Sequence, residues 1–137
     1  MATLQQKGLR MRFVTITAKD KLCVCEKRDC NPEICERARG HYDRVNQALY
    51  ELVHSEIRID REKILEYAER YQVCPYEFCL DVSTFADVII CDYNYAFDPT
   101  VKLKRYFQGT KGDYIFLIDE THNLVERARE MYSAILN

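Results

Sequence analysis

The chain has 137 residues, 47% of them hydrophobic and 31% charged, with ten tyrosines, six phenylalanines, four glycines and three prolines. That content excludes a disordered chain and suits one compact domain, and no apolar run approaches the roughly 18 residues of a membrane span. Twenty basic and twenty-two acidic side chains leave a net charge of −2, so any affinity for nucleic acid must come from a local patch.

The stretch from Met1 to Arg12 is polar and basic with no apolar core of a secretory signal. A cytoplasmic, reducing setting and no membrane partner are therefore expected. In that setting the seven cysteines read less as disulfides than as metal ligands or buried thiols.

Residues 12–17 alternate and are β-branched, which predicts a strand. Residues 20–40 carry four of the seven cysteines among many charges and almost no aliphatic side chains. Such a segment cannot build a core and needs a cross-link or metal to order it. A helix is predicted from His41 to Val53, with Tyr42, Val45, Leu49, Leu52 and Val53 on one face. A second is predicted over 61–72, capped by Asp60, with Ile64, Leu65, Ala68 and Tyr71 inward.

From Phe85 the texture changes. Asp87–Cys91 reads as a strand buried on both faces, with Cys91 a small core residue. A helical stretch over 93–107 follows, broken near Pro99. Between Gly109 and Gly112 lies a turn, and Tyr114–Ile118 reads as a second buried strand. The last element is a helix aligning Leu124, Val125, Ala128, Tyr132, Ile135 and Leu136. The alternation predicts an α/β fold with a parallel sheet, into which a cysteine-rich, helical region is inserted.

Cys23, Cys30 and Cys35 form C-x6-C-x4-C, and Cys74 follows after thirty-eight intervening residues, directly before Pro75. Four thiolates can ligate an iron–sulfur cluster or a structural Zn²⁺. Three close ligands and one distant Cys-Pro are more typical of a cluster than of the paired ligands of zinc. Cys25 and Cys79 stand as substitute ligands, since Cys74-x4-Cys79 is itself a pair.

An apolar run ending in Asp119-Glu120-Thr121-His122 has the form of a Walker B motif. There the Asp holds Mg²⁺ on the nucleotide phosphates and the Glu orients the attacking water. The same residues also suit the first turn of a helix.

In combination these segments resemble the iron–sulfur helicases of superfamily two, the DinG-like and XPD-like enzymes, over essentially the whole chain. The matching stretches are Lys21-Leu-Cys23, Cys30-Asn-Pro-Glu-Ile-Cys35, Gln72-Val-Cys-Pro-Tyr-Glu-Phe78, residues 86–99 and residues 116–125. The resemblance implies a fragment of a P-loop motor-domain sheet over 1–20 and 86–137, interrupted by a [4Fe–4S] insert over 21–85. It implies Cys23, Cys30, Cys35 and Cys74 as cluster ligands and leaves Cys25 and Cys79 outside the pattern. It further implies Asp119 as the Mg²⁺-ATP ligand, Glu120 as the catalytic carboxylate, and His122 as the residue coupling nucleotide state to the motor.

Thr121 stands where the family usually has Ala, and no G-x-x-x-x-G-K-[ST] loop occurs anywhere in the chain. An internal segment of a 5′-to-3′ DNA helicase is therefore expected, with the second motor domain beyond Asn137 and no ATP hydrolysis by the segment alone. Its expected partners are the remainder of the motor and single-stranded DNA, weakly bound. Lys19, Lys21, Lys27, Arg28, Arg37 and Arg39, with Tyr42 for stacking, are the candidate DNA contacts. The other reading is a non-enzymatic metal module that folds around zinc or senses redox state.

Overall fold

The first strand, β1 (Phe13–Thr15), is the centre of a three-stranded sheet with strand order β2-β1-β3. A computed structural model describes residues 3, 6–26, 28–108 and 112–133. Both neighbours, β2 (Arg58–Ile59) and β3 (Val88–Ile90), run parallel to β1. Phe13 pairs with Arg58 on one side and Val88 on the other, and Val14 with Ile59 and Ile89. Parallel neighbours require crossover connections, and helices supply them. After β1 come α1 (Lys19–Leu22) and α2 (His41–Ser55); after β2 come α3 (Arg61–Tyr71) and α4 (Pro75–Ser83).

The core lies between this sheet and α2–α4. Val14, Leu22, Leu52, Ile59, Ile64, Val73, Phe78 and Val82 are fully buried in it. On α2 the buried residues are His41, Val45, Ala48 and Leu52, a stripe of alternating four- and three-residue steps. Tyr42, placed on the inward face by the sequence pattern, is instead 82% exposed. Asp60 caps α3 as expected, its carboxylate accepting from the Lys63 N–H at 3.2 Å. Helix α4 was not predicted: Pro75, Phe78, Cys79, Val82 and Ser83 are buried along one face, but that face includes a polar Ser83, and apolar Leu80 lies off it, so nine residues carry only a weak stripe in the sequence.

The contacts divide the chain into two units, Met1–Cys91 and Asp92–Asn137. In the second, α5 (Asn94–Phe97) and α6 (Lys104–Phe107) are the two halves of the predicted helical stretch. The break comes at Asp98, which is extended as a residue before proline must be. Its carboxylate accepts from the Thr100 N–H and hydroxyl at 2.7 and 2.6 Å, building the turn. A 3₁₀ turn, Thr121–Asn123, leads into α7 (Leu124–Met131).

Three expectations are corrected. Val88 and Ile89 are only half-buried and Cys91 is exposed, because β3 pairs with β1 alone among the described residues and forms an edge. Residues 112–118 form no strand, since their unit offers no paired strand among the described residues. They keep the alternation of a strand nevertheless: Tyr114 and Phe116 meet the rings of Phe107 and Phe97, while Ile115 and Leu117 are each 91% exposed. No residue of α7 is fully buried, and Ile135 and Leu136 of its predicted stripe, like Gly109 before it, lie outside the described residues.

Replacing Asp60 with Ala should cost about 1 kcal/mol, the usual value of a lost N-cap, with Asp60→Asn near neutral. Urea unfolding of the two variants beside the parent measures it.

Candidate metal centre

Four cysteines from separate parts of the chain reach one cavity of about 220 Å³. Cys23 is the residue that ends α1; Cys30 and Cys35 lie in the irregular turns over 28–40; Cys74 is the N-cap of α4, with Pro75 in the first turn. Cys25 lines the same cavity, and its sulfur is 3.6 Å from that of Cys35. Cys79 does not: it is buried in the core, its thiol donating to the Thr15 carbonyl at 3.6 Å.

The cysteine-bearing turns are fastened to the helices by guanidinium groups on backbone carbonyls. Arg61 of α3 donates to the Lys21 carbonyl at 2.9 and 3.2 Å, two residues before Cys23. Arg37, two residues after Cys35, donates to the Ala68 carbonyl at 2.7 Å and pairs with Glu69. Arg44 of α2 spans the Gln72 carbonyl at 2.8 Å and the Arg39 carbonyl at 2.9 Å, joining the segment before Cys74 to the turn before α2. Gly40 makes room for that bridge. Its φ is +69°, and a Cβ there would lie 2.6 Å from an Arg44 guanidinium nitrogen.

His41, 3% exposed, is the contact that places Cys74. Its Nδ1 accepts the Cys74 N–H at 3.2 Å, which leaves Nε2 to carry the proton toward the Asp81 carboxylate at 3.4 Å. No sequence pattern marks this role: a lone histidine after a glycine reads as surface. Arg44 and Arg61 are equally silent in the sequence, because an arginine's carbonyl partner is a matter of tertiary placement.

The electrostatics favour thiolates unevenly. Residues at the N-terminal ends of α2 and α4 line the cavity, and helix N-termini carry partial positive charge. Burial pushes Cys35 up, but the N–H of Ala38, the Cys25 thiol and the Arg37 N–H and charge outweigh it and hold Cys35 below the ordinary thiol range. Hydrogen bonding to Cys35, together with burial, pushes Cys25 up to about 11. Burial raises Cys74 against the opposing pull of the Glu77 and Tyr76 amides. Lys19 lines the cavity and sits over the Tyr76 ring at 5.8 Å; the adjacent Cys30 raises its pKa.

The other candidate DNA contacts are scattered. Lys21, Arg28 and Arg39 are exposed, Arg28 on the cavity and Arg39 paired with Glu36 at 3.7 Å. The Arg37 guanidinium is taken up by α3, and Lys27 lies outside the described residues.

In the second unit Asp119, Glu120 and His122 are all exposed. Asp119 accepts from the Glu120 N–H at 2.9 Å, and Glu120 faces His122 at 3.3 Å. Glu120 has φ +50°, a left-handed conformation uncommon outside glycine, and it turns the chain from the apolar run into the 3₁₀ turn.

The Cys25–Cys35 separation is close to the sulfur–sulfur edge of about 3.8 Å that Zn–S bonds of about 2.3 Å dictate. Yet among the described residues no three His, Cys, Asp or Glu side chains form a group able to hold one ion. Thiols are the donors that iron–sulfur clusters take, and four of them spread around one void suit a polynuclear group.

The DEAD_2 family model matches residues 3–137. Over 100 residues the chain is 31% identical to the General transcription and DNA repair factor IIH helicase subunit XPD/RAD3 of Saccharomyces cerevisiae, covering 72% of this chain and 12% of that protein. It is 22% identical to the human Regulator of telomere elongation helicase 1 over 141 residues, covering 95% of this chain and 11% of the relative. A Fanconi anemia group J protein homolog of Gallus gallus is 32% identical over 74 residues, covering 54% of this chain and 6% of its own length. The chain thus belongs to the DEAD_2 family, as a segment of the DinG-like and XPD-like superfamily-two helicases. It spans no more than 12% of the length of these three relatives.

Two outcomes follow from the site. Gly40→Ala should cost about 1–2 kcal/mol in urea unfolding, through strain at positive φ and displacement of Arg44. In metal-free protein treated with iodoacetamide at pH 8, Cys79, buried and pushed up to about 11, should be the last thiol modified and exposed Cys30 among the first. Peptide mass spectrometry over a time course reads the order.

Proposed function

We propose that this chain is the cluster-bearing, DEAH-box-containing portion of a 5′-to-3′ DNA helicase, with Cys23, Cys30, Cys35 and Cys74 holding a [4Fe–4S] cluster. The observation that carries the reading is the meeting of four cysteines, spread over 52 residues of sequence, on one cavity. A cluster there would act as a cross-link joining the end of α1, the turns over 28–40 and the start of α4. The protein's part is to present the thiols: Arg61, Arg37 and the His41–Arg44 pair each fix the backbone within two residues of one ligand. Residues 20–40 have too little apolar surface to order themselves, so ligation would contribute much of their folding free energy.

In this reading the exposed cations Lys19, Lys21, Arg28 and Arg39 contact phosphates beside the centre, and Tyr42 offers a ring to a base. Arg37, bound to α3, braces Cys35 rather than reaching for a phosphate. Asp119 is the Mg²⁺ ligand, Glu120 the carboxylate that orients water, and His122, 3.3 Å from Glu120, the residue that couples nucleotide state to the motor. No phosphate-binding loop is present in the sequence, so those residues have no triphosphate to act on in this segment. The segment should show no ATPase activity, with or without single strands; turnover abolished by Glu120→Gln would contradict this.

A single-strand titration of loaded and metal-stripped protein at two salt concentrations tests the DNA part. Binding should be weak, indifferent to sequence, reduced by salt and lost on stripping, because few phosphates are neutralised and the turns that carry Arg28 and Arg39 are then no longer held by the centre. Equal binding by both forms, or affinity that ignores salt, would make the basic side chains a solvated face and favour a metal module without a DNA role.

A further inference from the structure

Cys25 stands outside the four-thiol set, yet it lines the same cavity, with its sulfur 3.6 Å from that of Cys35. The two remaining cysteines are elsewhere, Cys79 in the core and Cys91 exposed after β3. Cys23, which caps the end of α1, lines the cavity too, and its thiol meets the Cys25 carbonyl at 3.9 Å. The two sulfurs differ in how firmly they are held. Cys35 is anchored by its N–H on the Asn31 carbonyl at 2.8 Å and by the nearby Arg37 tie, whereas residues 23–25 belong to no helix or strand.

We infer that Cys25 is a reserve ligand of the metal centre, a fifth thiol that takes the place of Cys35 when Cys35 is lost or displaced. The inference rests on the four-thiolate reading. The exchange forms one metal–sulfur bond for each one broken and moves no electrons. Cys25 releases its proton to solvent as it binds, and a displaced Cys35 thiolate takes one up. Because the sulfurs are already in contact, the replacement needs a side-chain rotation and a small shift of residues 24 and 25, while Cys23, its N–H on the Lys19 carbonyl at 2.9 Å, and the helices stay where they are.

The test is anaerobic reconstitution with ferrous iron and sulfide of the full chain and of Cys25→Ser, Cys35→Ser, the Cys25→Ser/Cys35→Ser double variant and Cys74→Ser. Iron and acid-labile sulfide per chain are measured, and alkylation with peptide mass spectrometry identifies which thiols are protected. Cys25→Ser should load as the parent does. Cys35→Ser should keep most of its iron with Cys25 newly protected, and the double variant should lose it. Cys35→Ser loading no better than the double variant, or Cys25 left open to alkylation in it, overturns the inference. The loaded parent gives a reading that needs no variant at position 35: Cys25 must be open to alkylation there, and protection would make it a standing ligand instead. Cys74→Ser reports on the underlying reading separately. Its loading as well as the parent would defeat the four-thiolate set, while a comparison of Cys35→Ser with the double variant still judges Cys25.

Discussion

A polar loop bearing four of the seven cysteines has to be held against a helical core that it cannot join by burying apolar surface. Guanidinium groups on backbone carbonyls do the holding: Arg61 at the end of α1, Arg37 beyond Cys35, and Arg44 across the segment before Cys74. A hydrogen bond to a charged group contributes about 1.5–3 kcal/mol, about what ordering one or two residues costs. Three ties therefore fix the ends of the loop and not its length. The turns between them remain the part of the fold that a bound metal centre has most reason to order, since they have little else to gain.

The same ties settle which side chains remain available. Arg37 looks free in the sequence and is committed to Ala68 and Glu69, so its charge acts on Cys35 and not on solvent. His41 sits among apolar neighbours only because both of its ring nitrogens have partners, the Cys74 amide and the Asp81 carboxylate. Thiols must lose their protons to bind metal, and the cavity answers with two helix N-termini and with the charges of Lys19, Arg28 and Arg37. Asp29 and Glu77, which also line it, work in the other direction.

Much of the fold could be read in the sequence where local chemistry and packing agree. The β-branched run at 13–15, the Asp60 cap and the Asp98-Pro99 break appear at or near the expected places. Helix α4 was missed because a polar Ser83 on its buried face and an apolar Leu80 off it blur the amphipathic signal over only nine residues, although Pro75 behind an N-cap position marked its start. Asp87–Cys91 and Tyr114–Ile118 were read as buried because apolar runs report what a strand is suited to, not whether neighbours are there to cover it. The gathering of Cys23, Cys30, Cys35 and Cys74 was legible from spacing and resemblance. Their supports were not: a carbonyl acceptor 28 or 40 residues away leaves no local trace.

The central claim is that the four-cysteine cavity houses an iron–sulfur cluster, and metal analysis of protein purified without oxygen tests it most directly. Iron and acid-labile sulfide should each be present at about four per chain, with a brown colour and broad absorption near ~400 nm. About one zinc per chain with no sulfide, in colourless protein, would contradict the account.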